Sequence, residues 1–312
     1  MTGRKFELDG LDSDSAIYLL NYYWKYQNSI DLVVYRPAVM HSLSTGGIYA
    51  NKLLLNALYY AGALLCGQQR FMDDSSNRQT LGNRFFHRLQ ELLPTHMETS
   101  SVGSISALII MSSAALSRGK QTLSFLYSGL AQRMIVDLGF HVNPDKVEQS
   151  SYNPKLKTYS MTAVDLEQQR RIFWGAFIQD RFHSLFFGRP LGIQLVTGYE
   201  PPKEILDTYD ELELWVPQHE PSLGPPGQGV YAPQVSYCIS VRDSLLDLAE
   251  IISDMVGSIY TPRPSLFSRE TSTELVSSIH KRLDQWAKQL PDHLKSCVGQ
   301  ASPPPPHRFY PQ

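Results

Sequence analysis

The sequence is poor in cysteine, and the few cysteines that it has are far apart. Its 312 residues include three, Cys66, Cys238 and Cys297, and no C-x-x-C pair. A zinc knuckle or a redox dithiol needs closely spaced thiols, so these cysteines form neither kind of site. A sparse, odd number of cysteines is typical of a reducing compartment, where disulfides are rare. We expect each of them to be a small, buried or half-exposed side chain.

The sequence also lacks an excess of positive charge. It has 28 Lys and Arg against 30 Asp and Glu, which gives a net charge of −2. Proteins that bind DNA directly gain much of their affinity by neutralising phosphates, and they usually carry a basic excess. The charge balance therefore argues against direct nucleic-acid binding by this chain.

Long apolar runs are absent as well. The longest apolar stretches, Leu53–Leu65 and Ile105–Leu116, contain polar or small residues. Both are shorter than the ~20 residues that a membrane span needs. The first residues, Thr2–Glu7, are not followed by the apolar core of a signal peptide. We predict no membrane segment and expect a soluble, intracellular protein.

The usual catalytic motifs are missing. The sequence contains no G-x-S-x-G, no P-loop and no H-E-x-x-H. Residues Gly224–Gly229 are rich in glycine, but Pro225 and Pro226 lack the N–H donors of a phosphate-binding loop. Asp73–Asn77 has the D-D-x-x-N form with which all-helical terpene synthases hold magnesium, but no second acidic motif follows it. A hard cation needs several converging oxygen ligands, so we favour a solvated loop and keep a magnesium-dependent helical enzyme as the alternative.

Helical periodicity is what the sequence does contain. Apolar residues recur three or four positions apart, and no segment shows strand alternation over a convincing length. The pattern predicts an all-α, multi-helix bundle. The predicted helices cover 13–27, 51–65, 80–93, 101–117, 121–138, 164–187 and 271–290. In the helix at 121–138, the predicted apolar stripe consists of Leu123, Leu126, Leu130, Met134 and Leu138.

A coiled-coil-like seam follows later in the chain. Its apolar residues alternate three and four apart: Cys238, Val241, Leu245, Leu248, Ile252, Met255 and Ile259. The seam spans only about three heptads. We therefore favour packing within the domain, and a helical scaffold that dimerises through the seam is the alternative.

Proline and glycine mark the breaks between helices. We predict a short apolar turn region over Ile30–Tyr35 that ends at Arg36-Pro37, a helix end at Pro94, a Pro/Gly-rich internal loop over 213–234 and an irregular C-terminal tail over 295–312. We interpret the rest, 13–294, as one domain.

One stretch of the chain carries a specific resemblance. Residues Arg170–Pro190 read R-R-x-F-W-x-x-F-x-x-D-R-x-x-S-x-x-x-G-R-P. This pattern resembles the signature of the fungal-specific transcription factor domain, also called the xylanolytic-activator regulatory domain or middle homology region. The preceding Ser128–His141 stretch resembles the family's G-x-A-x-R-M-x-x-D-L-G-L-H helix, so the core of the resemblance covers 121–193. Arg36-Pro37 lies where the family has its P-x-F turn.

The resemblance implies a nuclear regulator of RNA polymerase II transcription that responds to a small-molecule effector or to co-regulators. The family binds DNA through a six-cysteine zinc cluster, and this sequence does not contain one. The resemblance thus implies zinc and DNA contacts only through that missing module, no cofactor in this chain, no catalysis, and a homodimer as one form of assembly. We also expect the tail to be cut short relative to the family.

The residues that carry the resemblance have physical roles that the sequence suggests. We expect Phe173, Trp174 and Phe177, together with Leu185, to fill the core. We expect Asp180 and Arg181 to pair with another helix. Gly188 permits a left-handed helix exit and Pro190 ends the helix. The complete set of candidate site residues, which we regard as structural or regulatory, is Arg133, Asp137, Gly139, Arg170, Arg171, Phe173, Trp174, Phe177, Asp180, Arg181, Ser184, Gly188, Arg189 and Pro190.

Overall fold

The protein is described here by a computed structural model that covers residues 8–149, 161–195, 197–218, 231–260, 269–295 and 304–311. Its helices are α1 Ser13–Tyr26, α2 Asn28–Asp31, α3 Arg36–Thr45, α4 Lys52–Cys66, α5 Asn83–Met97, α6 Val102–Ser117, α7 Gln121–Asp137, α8 Pro144–Gln149, α9 Ala163–Phe187, α10 Tyr209–Leu212, α11 Cys238–Met255 and α12 Arg269–Gln289. The prediction of an all-α fold is confirmed.

Two short strands lie at the two ends of the segment 213–234, so the prediction of a loop does not hold at Leu214, Trp215 and Gln234. Strand β1, Leu214–Trp215, pairs antiparallel with β2, Gln234–Val235, and Leu214 lies opposite Val235. Residues 219–230, which hold most of the prolines and glycines of that loop, lie outside the described residues.

Several helix ends follow from local capping chemistry. The Asn51 side chain accepts a hydrogen bond from the backbone N–H of Leu54 at 2.8 Å and caps α4. Ser101 caps α6 in the same way through the N–H of Ser104. Gly67 ends α4 at a φ of 65°, the left-handed conformation that glycine adopts without strain.

The predicted turn region ends at Arg36-Pro37 as expected, because these residues begin helix α3 and proline is tolerated in the first turn of a helix, where its missing N–H is not needed. Its first residues, Ile30 and Asp31, instead belong to α2. One prediction based on proline is wrong. Pro94 lies inside α5, which continues to Met97. It removes one hydrogen bond in the last turn only, so the helix continues past it.

The chain divides into two compact units. Unit 1 comprises 1–28, 32–176 and 195–206, and unit 2 comprises 29–31, 177–194 and 207–312.

In unit 1, α4 packs against α1, α5 and α6, and α6 packs against α7. Gly62 of α4 lies so close to α1 that an added Cβ would overlap the backbone carbonyl of Leu19. This close helix approach therefore requires glycine at position 62.

The predicted apolar stripe of α7 is only partly buried. Its Met134 is buried, Leu126 is 59% exposed, and the other three stripe residues are half-buried. The buried face consists of Ser124, Tyr127, Ser128, Ala131, Met134 and Ile135. The Ser112 hydroxyl of α6 donates to the backbone carbonyl of Ser124 at 2.8 Å. Small side chains let the two helices approach closely, and a pattern that counts only large apolar residues cannot detect this.

In unit 2, α11 packs against α10, α12 and a 3₁₀ turn at Pro306–Phe309. The seam residues Cys238, Val241, Leu245 and Ile252 are buried, so the interpretation of the seam as packing within the domain is confirmed at these positions.

The 3₁₀ turn belongs to the tail that was predicted to be irregular, and its His307 and Arg308 are buried. Among the described helices, none is both long and apolar enough to cross a bilayer.

Candidate functional site

Helix α9 carries the residues of the family resemblance, and it begins with a reciprocal cap. The backbone N–H of Thr162 donates to the Asp165 carboxylate at 2.8 Å, and the N–H of Asp165 donates back to the Thr162 hydroxyl at 3.2 Å. This T-x-x-D arrangement is a capping box, which fixes where the helix starts. The helix contributes residues up to Ala176 to unit 1 and residues from Phe177 onward to unit 2.

In unit 1, one face of α9 holds an irregular segment, 202–206, by its backbone. The Trp174 indole N–H donates to the Pro202 carbonyl at 3.1 Å. One turn earlier, the Arg170 guanidinium donates to the Glu204 carbonyl at 3.2 Å. Positions three and four apart lie on one side of a helix, so these side chains form a row along the segment.

The row ends at a buried ion pair. Glu167 accepts from the backbone N–H of Leu206 at 2.8 Å with one oxygen and from Arg171 Nε at 2.6 Å with the other. Both charged side chains are 0% exposed. The Arg171 guanidinium also lies over the Tyr35 ring, with its carbon 4.8 Å from the ring centre. This buried pair therefore orders the side chains on this face of α9 and holds the end of the segment at Leu206.

In unit 2, the next part of α9 holds a second segment, 190–193. The Asp180 carboxylate accepts from the backbone N–H groups of Gly192 and Ile193 at 3.0 and 3.1 Å. Arg181 donates to the carbonyl of Ile193 at 2.7 Å and to the Ser253 hydroxyl of α11 at 2.9 Å. These two residues thus clamp the backbone that leaves the helix.

Asp180 and Arg181 pair with each other, Arg181 Nη1 to Asp180 Oδ2 at 2.7 Å. The described link from Arg181 to another helix runs through the neutral Ser253 of α11. Arg181 also lies over the Phe177 ring, 3.7 Å from its centre. Burial lowers the pKa of Arg181 to about 10, which leaves it charged at neutral pH.

The exit of α9 contains the remaining signature residues. Gly188 has a φ of 63°, as predicted. The backbone N–H of Arg189 donates to the Ser184 carbonyl at 3.0 Å, and the Ser184 hydroxyl donates to the Pro190 carbonyl at 3.2 Å. The first of these bonds pairs the Ser184 carbonyl, one of the backbone groups that a helix end otherwise leaves unpaired.

The apolar signature residues lie in the core, as expected. Phe173, Trp174 and Phe177 are at most 1% exposed. Leu185 is only partly buried.

The candidate residues of α7 lie apart from those contacts. Arg133 and Asp137 are both exposed, and Gly139 follows the helix with a φ of 72°. Just beyond it, Gln169 of α9 donates to the carbonyl of Val142 at 2.8 Å. Gly139 therefore follows the helix in the left-handed conformation that favours glycine, whereas Arg133 and Asp137 face solvent.

The residues present do not fit a metal centre. Across the described parts of the chain, no three His, Cys, Asp or Glu side chains converge on a point. Asp74 of the D-D-x-x-N motif accepts from the N–H of Ser76 at 2.9 Å within an exposed loop. Of the cysteines, Cys66 and Cys238 are free thiols, and Cys297 lies outside the described residues. The zinc cluster that the resemblance implies thus has no counterpart among the described side chains.

Sequence reasoning found the helix but not the segments that it holds. Glu167 and Arg171 are four positions apart, which is the spacing at which two side chains on one helix face can pair. The contacts to Leu206, to Ile193 and to Ser253 join residues that are 39, 12 and 72 positions apart, respectively. Local patterns carry no signal for such contacts.

The sequence of the chain is similar to those of several curated fungal regulators of transcription. The nitrogen assimilation transcription factor nirA of Emericella nidulans is 28% identical over 256 residues, which cover 81% of this chain and 27% of nirA. The nitrogen assimilation transcription factor nit-4 of Neurospora crassa is 25% identical, with 81% of this chain and 22% of nit-4 covered. The thiamine repressible genes regulatory protein thi1 of Schizosaccharomyces pombe is 26% identical, with 76% and 26% covered.

The chain thus spans about a quarter of the length of these curated relatives. No solved structure matches it. The sequence profile described as "Fungal specific transcription factor domain" matches residues 20–288, which include the whole of α9 and both segments that it holds. The chain therefore belongs to the family of the fungal-specific transcription factor domain.

Proposed function

We propose that this chain is the regulatory domain of a longer, nuclear transcription factor that controls RNA polymerase II transcription. The observation that carries the proposal is the family match over 20–288, with relatives that are named as transcription factors. In this proposal a zinc-cluster module outside the present sequence contacts DNA, and this chain holds no cofactor and catalyses no reaction. The net charge of −2 supports that division of roles.

The proposed mechanism is conformational. Binding of a small-molecule effector or a co-regulator favours one of two states of the domain, in one of which the activating surface is masked. The segments 190–193 and 202–206 are the elements that we expect to change. They have no helix or strand of their own, and side chains of α9 hold their backbones. A second copy of the chain is the remaining partner in the proposal.

A tethered reporter tests the proposal directly. The 312-residue chain is fused to a heterologous DNA-binding domain upstream of a reporter gene in a fungal host. Two relatives are named for nitrogen assimilation and one for thiamine-repressible genes, so nitrogen source and thiamine are varied separately. We expect the fused chain to change reporter output, and we expect one of these conditions to modulate that change.

A matched variant separates regulation from misfolding. Trp174→Phe keeps an aromatic ring in the core but removes the indole N–H that donates to the Pro202 carbonyl. We expect it to alter the response to the condition at an unchanged protein level. A fusion that leaves the reporter unchanged under every condition contradicts the proposal.

Binding measurements test the division of roles. We expect the purified chain without the fusion to contain no stoichiometric zinc. We expect it to show no operator preference in a gel-shift assay at physiological salt, because DNA affinity depends strongly on salt. Specific operator binding by this chain alone refutes the assignment of DNA contacts to another module.

A further inference from the structure

Residues 304–311, which we name the strap, lie against α11 within unit 2. Five strap residues are buried: Pro304, Pro305, His307, Arg308 and Pro311. On the other side of the strap, Phe309 is 50% exposed and Tyr310 is 58% exposed. Residues 296–303, which join the strap to the rest of unit 2, lie outside the described residues. The strap therefore packs on unit 2 as a bound peptide would, with one buried side and one exposed side.

Two strap side chains bind backbone carbonyls of unit 2. The Nε2–H of His307 donates to the carbonyl of Ser236 at 2.6 Å. Arg308 Nε donates to the carbonyl of His293 at 3.0 Å. The Arg308 guanidinium also lies 5.4 Å from the centre of the Tyr237 ring. One carbonyl thus receives a buried ring N–H and the other a guanidinium, so this surface fits a His-Arg pair in that order.

The surface beneath the strap carries negative charge. Burial, and after it the negative charge of Asp210, raises the pKa of the Cys238 thiol. The carboxylates of Glu211 and Glu213 act in the same direction, so all three lie close to the thiol. They complement the positive charge of Arg308. Charge complementarity of this kind favours a basic peptide over an acidic one.

Two features weaken the docked state of the strap. His307 is 1% exposed, yet its Nδ1 has no hydrogen-bond partner among the described residues. Tyr237 has a φ of 57°, a left-handed conformation that is uncommon for a bulky residue. A buried unpaired nitrogen and a strained backbone both cost free energy. The strap is therefore held less tightly than its hydrogen bonds alone suggest.

We infer that the surface formed by Ser236, Tyr237, Cys238 and His293 is a peptide-docking site for a proline-flanked His-Arg sequence, and that the strap is its internal occupant. A partner protein that carries such a sequence competes with the strap for the site. Its segment must supply what the strap supplies, namely buried prolines, a neutral ring donor and a guanidinium. The inference gives the co-regulator of the proposed function a docking surface, and for that role it rests on the proposed function.

A fluorescein-labelled peptide of residues 303–312 tests the docking site by fluorescence anisotropy with the full chain. In the wild type the strap competes at an effective concentration of about 1 mM, the value for a short tether. The variant His307→Asp/Arg308→Glu releases the strap, because its new charges repel the acidic surface. We expect the variant to bind the peptide with a Kd of about 10 µM, about 100-fold tighter than the wild type.

Two controls establish that the His-Arg pair is what the site recognises. Phe309→Glu changes an exposed strap residue, so its affinity for the peptide is expected to equal that of the wild type. A peptide that carries His307→Ala and Arg308→Ala is expected to bind the strap-released variant at least about tenfold more weakly than the natural peptide.

Iodoacetamide labelling of Cys238 in the wild-type chain tests whether the strap detaches. The thiol is 5% exposed, and its sulfur lies 3.6 Å from His307 Nε2. We expect labelling at about 1% of the rate of an exposed thiol, the ratio of the expected Kd to the effective concentration. Low urea should hardly change that rate, because local opening exposes little surface. Peptide mapping by mass spectrometry distinguishes Cys238 from Cys66 and Cys297.

Three results overturn the inference. They are a folded variant that binds the peptide no more tightly than the wild type, equal binding of the natural and control peptides, and Cys238 labelling that rises with urea in parallel with global unfolding. Circular dichroism and thermal unfolding show whether the variant is folded, and if it is not, labelling of the wild type decides alone. Neither assay has a transcriptional readout, so a failure here is distinguishable from failure of the reporter assay.

Discussion

The two segments held by α9 are fastened in different ways. In unit 1, segment 202–206 receives one contact per helical turn, from Trp174, Arg170 and Glu167. In unit 2, segment 190–193 depends on a single clamp, in which Asp180 accepts two backbone N–H groups and Arg181 binds the carbonyl of Ile193. Segment 202–206 is therefore held at three points along its length, whereas segment 190–193 is held at one point by two adjacent side chains.

The difference shows what each buried ion pair contributes. Glu167 and Arg171 are 0% exposed and pair along one helix face, so helix geometry alone brings them together. Asp180 and Arg181 are adjacent in sequence, and most of their hydrogen bonds go to backbone outside the helix. We therefore expect the first pair to tolerate apolar replacement and the second to be indispensable for its segment.

The largest expected effect is that of Asp180→Ala. It leaves the buried Arg181 charge without its carboxylate and removes the acceptor of the N–H groups of Gly192 and Ile193. Breaking a buried pair from one side costs about 3–5 kcal/mol of unfolding free energy. Urea unfolding of the full chain measures the loss. Asp180→Asn, which keeps an acceptor oxygen, is the control and is expected to lose clearly less. A loss below about 1 kcal/mol for the alanine variant contradicts the clamp.

A third segment, the 3₁₀ turn at 306–309, is also held by buried side chains, and we expect its contribution to stability to depend on pH. His307 is 1% exposed, and its Nε2–H donates to the carbonyl of Ser236 at 2.6 Å. Its neighbour Arg308 donates to the carbonyl of His293. Burial lowers the pKa of His307 to about 4, whereas a free histidine titrates near 6.5. Between these values the unfolded chain binds a proton that the folded chain does not.

The stability that neutral His307 contributes is therefore complete above pH 6.5 and is lost as the pH falls toward 4. The expected loss is about 3 kcal/mol, from 1.36 kcal/mol per pKa unit. His307→Gln keeps a donor but cannot titrate, so its stability should fall less over the same range. Urea unfolding of both chains at several pH values gives this difference, and other histidines cancel from it. Parallel pH profiles contradict the assignment to His307.

Replacing both members of a pair at once tests whether the two ion pairs differ in their contribution to stability. In Glu167→Leu/Arg171→Met, both charges are removed together, and the N–H of Leu206 loses its acceptor. Leu206 is 42% exposed, so water can replace that bond, and we expect a loss of about 1 kcal/mol.

The matched double variant in unit 2 is expected to cost more. In Asp180→Leu/Arg181→Met, the buried backbone of Ile193 loses both its acceptor and its donor, and we expect a loss of about 3 kcal/mol. Urea unfolding of the four single and two double variants gives each coupling energy. Equal losses in the two double variants contradict the contrast.

The features of the structure that could be predicted from the sequence are those that depend on local chemistry. The left-handed helix exit at Gly188 was predicted from its own local sequence. The caps at Asn51 and Ser101 and the Glu167–Arg171 pair were not predicted above, but they also join residues within a few positions of each other. Long periodic helices such as α9 were predicted to within a residue or two of their ends.

The parts that failed depend on tertiary contact. The stripe of α7 was misplaced because Ser124 and Ala131 pack closely against α6, and small residues have little weight in an apolar pattern. The turn at 306–309 is ordered by bonds from Arg308 to His293 and from His307 to Ser236, which are 15 and 71 residues away. A run of prolines predicts neither of these partners.

The smallest expected effect tests the alternative reading of the acidic motif. Asp73 is exposed and lies in the loop before the 3₁₀ turn at Arg78–Thr80. The neighbouring Asp74 accepts from Ser76 of that loop and from the Thr80 hydroxyl of the turn. An aspartate in this position contrasts with the buried Asp180, so Asp73→Ala should change the unfolding free energy by less than about 0.5 kcal/mol. Thermal unfolding with and without millimolar magnesium extends the test. If the motif bound magnesium, the ion would stabilise the folded wild type by mass action and would not stabilise the variant. We expect the same Tm in all four samples, because the described residues around this loop supply no converging set of oxygen ligands.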